Sequence, residues 1–223
     1  MLRTIALGLL GLGLAGEVRA QDAQTVIAER GKLMVSEDLG VMPANFKVGK
    51  GKWEVVDGAL RGSELAVDAH AATFRRPTPA HNVIIQYSFK IDGDAKTSLS
   101  INSSKGHLSR MQLSPNSLTV KKDSSDKNKT DKSAILDTYK GDIKAGVWHT
   151  VVLEQVAGEM LASLDGKTVA YGKHEGVNQP ITNIGFTVTG QSVSFKNLRI
   201  WEAGAVRASW PAEREKWIQA RSK

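Results

Sequence analysis

Between residues 53 and 201 the sequence repeats one device: a short run of alternating apolar and polar side chains, a turn signal, then another such run. The runs fall at 53–56, 59–62, 71–75, 82–91, 97–102, 108–114, 117–121, 134–137, 148–156, 159–164, 168–172, 183–189 and 193–201. Alternation with period two is the mark of a β-strand, whose successive side chains leave by opposite faces. Asp57-Gly58 and Asp165-Gly166 stand in two of the gaps as two-residue turns, and the glycine tolerates the positive φ that such hairpins need. No amphipathic helical pattern interrupts the series before residue 205, so the βα alternation that builds parallel sheets is missing. The expected fold is all-β, a two-sheet antiparallel sandwich.

The alternation also assigns faces. In 82–91, Val83, Ile85, Tyr87, Phe89 and Ile91 point one way, and Ile84, Gln86, Ser88 and Lys90 the other. In 97–102, Leu99 and Ile101 face the core while Ser98, Ser100 and Asn102 face out; in 108–114, Met111 and Leu113 face in while Arg110 and Gln112 face out. A slip of one residue would bury the polar set, so register is well specified. With these three strands as sheet neighbours, one outward patch would gather Gln86, Ser88, Lys90, Ser98, Ser100, Asn102, Arg110 and Gln112.

The two ends read differently from the middle. Residues 1–20 have the form of a signal peptide: Arg3, an apolar stretch over 5–16, and small residues at Val18 and Ala20 before Gln21. Twelve apolar residues are too few for a span that needs about 20. The expectation is an exported protein, periplasmic or extracellular, with no membrane insertion after cleavage. Cleavage would remove Arg3, Arg19 and Glu17, reducing 30 basic and 23 acidic residues to 28 and 22. That balance permits acidic partners without requiring them. With no cysteine, neither disulfides nor thiolate chemistry is available, and a chain of this size must rely on its own core, burying roughly 70% of its unfolded surface. Residues 21–35 read as a lead-in, 36–202 as the sandwich, and 203–223 as a linker and short C-terminal helix. In that helix Ser209 can cap, Pro211 suits the first turn, and Trp210, Trp217 and Ile218 share a side that would dock on the sandwich. The lysine- and aspartate-rich stretch 121–133 reads as a solvated, mobile hairpin loop.

The segments "KWEVVDGAL", "GVWHTVVLEQVAGEMLASLDGKTVA" and "NIGFTVTGQSVSFKNLRIWE" follow one another in order. Together they resemble a concanavalin A-like (LamG-type) sandwich, and more narrowly the bacterial 3-keto-disaccharide hydrolase domain family. In the closing strand the spacing of Phe195 and Leu198 breaks strict alternation, so a bulge is expected near Lys196-Asn197, and the resemblance implies a jelly roll in which Trp53, Trp148 and Trp201 are scaffold. It also implies a concave sheet carrying acidic and amide side chains. In this sequence the family's acidic position in the first strand falls on Ser88, its Gly-Asn-Ser-Gly-Ile turn on residues 97–101, and its Glu-x-Gln pair on Arg110 and Gln112. Only Gln112 matches, and the carboxylates that glycoside hydrolysis generally uses are replaced.

Other chemistry finds little support. His70, His81, His107, His149 and His174 have no zinc-binding spacing, and His149 reads as structural. Asp92-Gly93-Asp94 could hold calcium, but Lys90 and Lys96 stand beside it; no cofactor is expected. Lysines diluted by aspartates and not interleaved with aromatics argue against nucleic acid. The expected function is therefore carbohydrate-associated: a saccharide, anionic if Lys90 and Arg110 take part, held on the polar sheet. The alternatives are a hydrolase of 3-keto-disaccharides or related glycosides, and a non-catalytic structural or interaction domain.

Overall fold

The computed structural model describes residues 22–125 and 130–221; the leader expected at 1–20 lies outside them. In chain order the strands are β1 (Ala28–Glu37), β2 (Lys47–Lys50), β3 (Lys52–Val56), β4 (Ala59–Ser63), β5 (Ala72–Ala80), β6 (Val83–Asp92), β7 (Lys96–Ser103) and β8 (Gly106–Ser114). There follow β9 (Ser117–Lys122), β10 (Ala134–Lys140), β11 (His149–Val156), β12 (Glu159–Leu164), β13 (Lys167–Lys173), β14 (Ile181–Thr189) and β15 (Ser192–Val206), and then one helix, α1 (Trp210–Arg221). The strands form two antiparallel sheets. The back sheet runs β13-β12-β11-β6-β15-β4-β3, with β1 also paired to β15; the front sheet runs β10-β9-β8-β7-β14-β5-β2. This is the expected jelly-roll sandwich, every expected strand is present, and the first strand takes in residues 28–35, read from sequence as lead-in.

The core lies between the sheets and follows the alternation. Val83, Ile85, Tyr87, Phe89 and Ile91 from the back sheet meet Leu99, Ile101, Met111 and Leu113 from the front, all buried. Trp53 belongs to this core. It is 8% exposed, its ring stacks 4.9 Å from Phe74 and 6.1 Å from Phe195, and its indole N–H donates to the Lys50 carbonyl at 3.1 Å. Gly62 makes room for it: a Cβ there would lie 2.6 Å from the indole ring. The bulge in β15 is also present, between Lys196 and Arg199. Asn197 occupies it at φ 54° and donates its backbone N–H to the Asp38 carbonyl at 3.0 Å.

The outer face of the back sheet carries a second apolar layer. Ile84, Val152, Leu161, Tyr171 and Trp201 point outward there and are covered by Ile27, Ala28 and Trp210. Two carboxylates fasten this cover. Glu154, fully buried on β11, accepts the backbone N–H groups of Val26, Ile27 and Ala28 at 2.7, 2.9 and 3.0 Å; burial pushes its pKa up against the pull of those donors. Glu159, on β12, accepts from the Tyr171 hydroxyl at 2.9 Å, the Trp210 indole at 2.7 Å and Arg214 at 2.8 Å.

Three expectations need correction. Within α1, Trp210 docks and Trp217 packs at the margin, but Ile218 is 44% exposed, because the helix meets the sandwich along the face of Trp210, Arg214, Trp217 and Arg221, which leaves Ile218 outside. Trp148 is no core residue: it is 37% exposed, with the Lys90 and Lys196 ammonium groups 5.4 and 4.9 Å from its ring centre. The stretch 121–133 is only partly loop. Lys122 is 3% exposed, donates to the Lys132 carbonyl at 2.9 Å and pairs with Asp131, while Asp123 is buried beside it; residues 126–129 lie outside the described residues. Among the described residues no helix is long and apolar enough to cross a membrane.

Candidate functional site

The outer face of the front sheet holds a groove of about 870 Å3. Arg110, Arg75 and the hydroxyl- and amide-bearing residues that line it belong to two rows set by register. One row across the sheet runs Lys121, Arg110, Ser100, Gly185, Arg75 and Lys47. The next row runs Thr119, Gln112, Ser98, Thr187 and Thr73. The intervening residues Val120, Met111, Leu99, Phe186 and Phe74 point into the core, which fixes the outward direction of both rows. One row is thus cationic, with a gap at its centre, and the other presents hydroxyls and an amide.

The electrostatics are uneven along the cationic row. The buried Asp123 carboxylate lies 3.1 Å from Arg110 Nε and 2.9 Å from Lys121 Nζ. The Arg110 contact is close enough for an ion pair but off-line for a hydrogen bond. One carboxylate therefore serves two cations. Arg75 is exposed and, among the described residues, has no carboxylate partner: its neighbour Arg76 takes Glu37 at 3.3 Å, and Asp68 is held by Gly51 N–H at 2.6 Å. Gly185 lets the Arg75 side chain lie across the strand, since a Cβ on Gly185 would come 2.6 Å from Arg75 Cγ. Beside Gly185, the Ser100 hydroxyl is buried, the residue 1% exposed, with no protein hydrogen-bond partner.

At the groove's end, Asn102 is already engaged. Its amide donates to Asn183 Oδ1 at 2.7 Å and its oxygen lies 2.8 Å from His107 Nδ1, a polar chain across three strands. No Trp, Tyr or Phe side chain lines the groove among the described residues, and Asp94 is the sole carboxylate in its wall.

The eight residues expected to form one patch are divided between two faces. Ser98, Ser100, Asn102, Arg110 and Gln112 share the front sheet. Gln86, Ser88 and Lys90 do not join them, because β6 pairs with β11 and β15 in the back sheet and the Asp92–Ala95 turn carries the chain from one sheet to the other. Gln86 accepts the Ala23 N–H at 2.9 Å and helps seat the N-terminal segment; Ser88 pairs with Thr150 at 3.0 Å; Lys90 lies over Trp148. The residues that sequence reasoning passed over are Thr73, Arg75, Thr119, Lys121 and Thr187. The same alternation marks them: Thr73 and Arg75 flank the buried Phe74, and Thr187 sits between Phe186 and Val188.

The remaining candidates are structural. His149 Nδ1 lies 2.7 Å from Asp165 Oδ2, whose other oxygen accepts the Thr150 N–H at 2.8 Å, so the pair ties down the hairpin turn. Asp92, offered as a calcium ligand, pairs with Arg61 at 3.0 Å and with the Ser192 hydroxyl. Among the described residues no three His, Asp or Glu side chains converge as a metal site.

No protein-family model and no curated protein matches the sequence. Solved structures do match in fold. The carbohydrate-binding module CBM66 from Bacillus subtilis superposes with a TM-score of 0.56 at 11% identity, over 71% of this chain and 96% of that one. A Bacillus subtilis protein of unknown function with a galectin-like fold gives 0.60 at 14% identity, over 81% and 100%. SCLam, a non-specific endo-β-1,3(4)-glucanase from family GH16, gives 0.60 at 11% identity, over 82% and 98%. At these identities the likeness concerns architecture alone, and the chain is a concanavalin-like, galectin-like jelly-roll sandwich.

Proposed function

We propose that the protein is a carbohydrate-binding sandwich, exported by its leader, that holds a saccharide in the groove of the front sheet. The observation that carries this reading is the floor itself: Thr119, Gln112, Ser98, Thr187 and Thr73 stand in one row on a rigid sheet, facing an open groove. Donors and acceptors fixed on strands match the evenly spaced hydroxyls of a sugar chain laid across them, at little ordering cost to the protein. That module and enzyme relatives in fold also act on carbohydrate agrees with this. Without aromatic platforms, recognition rests on hydrogen bonds and charge.

Hydrolysis in the same groove, as in the 3-keto-disaccharide hydrolases that the sequence resembles, would call for an acid and a base or nucleophile about the scissile bond. The groove wall offers Asp94, and Asp123 is committed to Arg110 and Lys121. Binding is thus the better reading. A glycan array on the protein, with hydrolysis assays on 3-keto-disaccharides in parallel, tests both. Saccharide capture without turnover supports the proposal; turnover would make it an enzyme, and no capture of any saccharide by folded protein would refute it.

A further inference from the structure

The cationic row gives the groove a selectivity of its own. We infer that it takes an anionic saccharide, one bearing carboxylates in the manner of a hexuronate chain, and that Arg75 is the residue that selects the anion. This rests on the binding reading above and goes beyond it.

The charge distribution points to Arg75. Arg110 and Lys121 already share Asp123, so a ligand carboxylate gains less from either. Arg75, exposed and without a carboxylate partner among the described residues, has its planar fork of donors free for a bidentate contact, the geometry that a carboxylate fits. Gly185 holds the floor clear beneath it. On the far side of that glycine the buried Ser100 hydroxyl has no protein partner, a polar group close to the Arg75 end of the row. Lys47, opposite Arg75 on the edge strand, adds positive potential at the same end.

The spacing suits a chain rather than a single sugar. Arg75 and Arg110 are three strand steps apart, with β14 and β7 between them. At about 4.8 Å per step that is roughly 14 Å, the scale of an oligosaccharide crossing the strands. Such a chain would meet the cations along one side and the hydroxyl row along the other.

The test is calorimetry of the full chain with oligogalacturonate and with its neutral methyl ester, at low and physiological salt. The expected result is at least tenfold tighter binding of the acid form, weakening as salt rises. Arg75→Gln should abolish that preference, weakening the acid form far more than the neutral ester; Arg75→Lys should restore only part of it, because it returns charge without the fork. Arg110→Gln should weaken the acid form less than Arg75→Gln does. Circular dichroism confirms that each variant is folded. Equal affinity for acid and ester, or a preference that survives Arg75→Gln, would overturn the inference while leaving saccharide binding intact. Binding of neither, with no hit on the glycan array, would overturn both.

Discussion

Replacing Glu159 by alanine should loosen the C-terminal helix from the sandwich. The carboxylate is the acceptor for three donors: the Trp210 indole at 2.7 Å, the Tyr171 hydroxyl at 2.9 Å and the Arg214 guanidinium at 2.8 Å. Trp210 is buried and Tyr171 nearly so, so removing their acceptor strands two polar groups, at about 1–3 kcal/mol each. Arg214 is 36% exposed at the side chain, and water replaces much of what it loses. The sum is about 2–6 kcal/mol, nearly all of it from the two stranded groups. Urea unfolding followed by tryptophan fluorescence would read it, with Glu159→Gln as the milder partner that keeps one acceptor. Acid supplies an independent check. Burial raises the Glu159 pKa, but the donors outweigh it, and the net direction is downward from 4.5. A depressed carboxylate stabilises the fold above its unfolded pKa and ceases to do so as pH falls through its folded value. The gap between wild type and Glu159→Ala should therefore narrow below about pH 4.5. A loss under about 1 kcal/mol at neutral pH, or a gap that widens in acid, would refute the anchoring role.

Trp53→Ala should cost about 3–5 kcal/mol, read as a lowered urea midpoint; an unchanged midpoint would mean that the stack with Phe74 and Phe195 contributes nothing. Deleting residues 209–223 should bare the apolar surface around Tyr171, which meets Trp210 edge-on at 5.4 Å, reducing solubility and raising binding of a hydrophobic dye, and a truncated protein as soluble as the full chain would show that the cover is dispensable. Gly185→Ala should destabilise by about 1–3 kcal/mol, since its Cβ would meet the Phe74 carbonyl and Arg75 Cγ at 2.6 Å each. It should also weaken saccharide binding; full stability and full affinity together would show that the floor has slack.

The strands were legible because each buried face is apolar and each exposed face polar, as in the alternation of Val83 to Ile91. Their partners were not. A hairpin and a crossover between sheets carry the same period-two pattern on either side of the same kind of turn, so Asp92-Gly93-Asp94 could not declare that β6 and β7 lie in different sheets. The patch was split for that reason, with Gln86, Ser88 and Lys90 going to the back. Ile84 was a clue: an isoleucine among outward residues signals a face that something else covers, and it lies in the buried cluster that Ile27, Ala28 and Trp210 close. The strands β1 and β2 escaped notice because they bury little; β2 is exposed along its whole length, as suits the edge strand of a sheet. Arg75 was within reach of the alternation argument, but its freedom from a carboxylate partner depends on long-range packing.

The clasp of Glu154 on residues 26–28 puts the start of the described chain on the back sheet, while the groove opens from the front. Two sheets about 10 Å apart stand between an attachment at that end and the ligand. A bead, a label or a neighbouring domain joined there would thus leave the groove turned outward, free to meet a polymer too large to diffuse toward it.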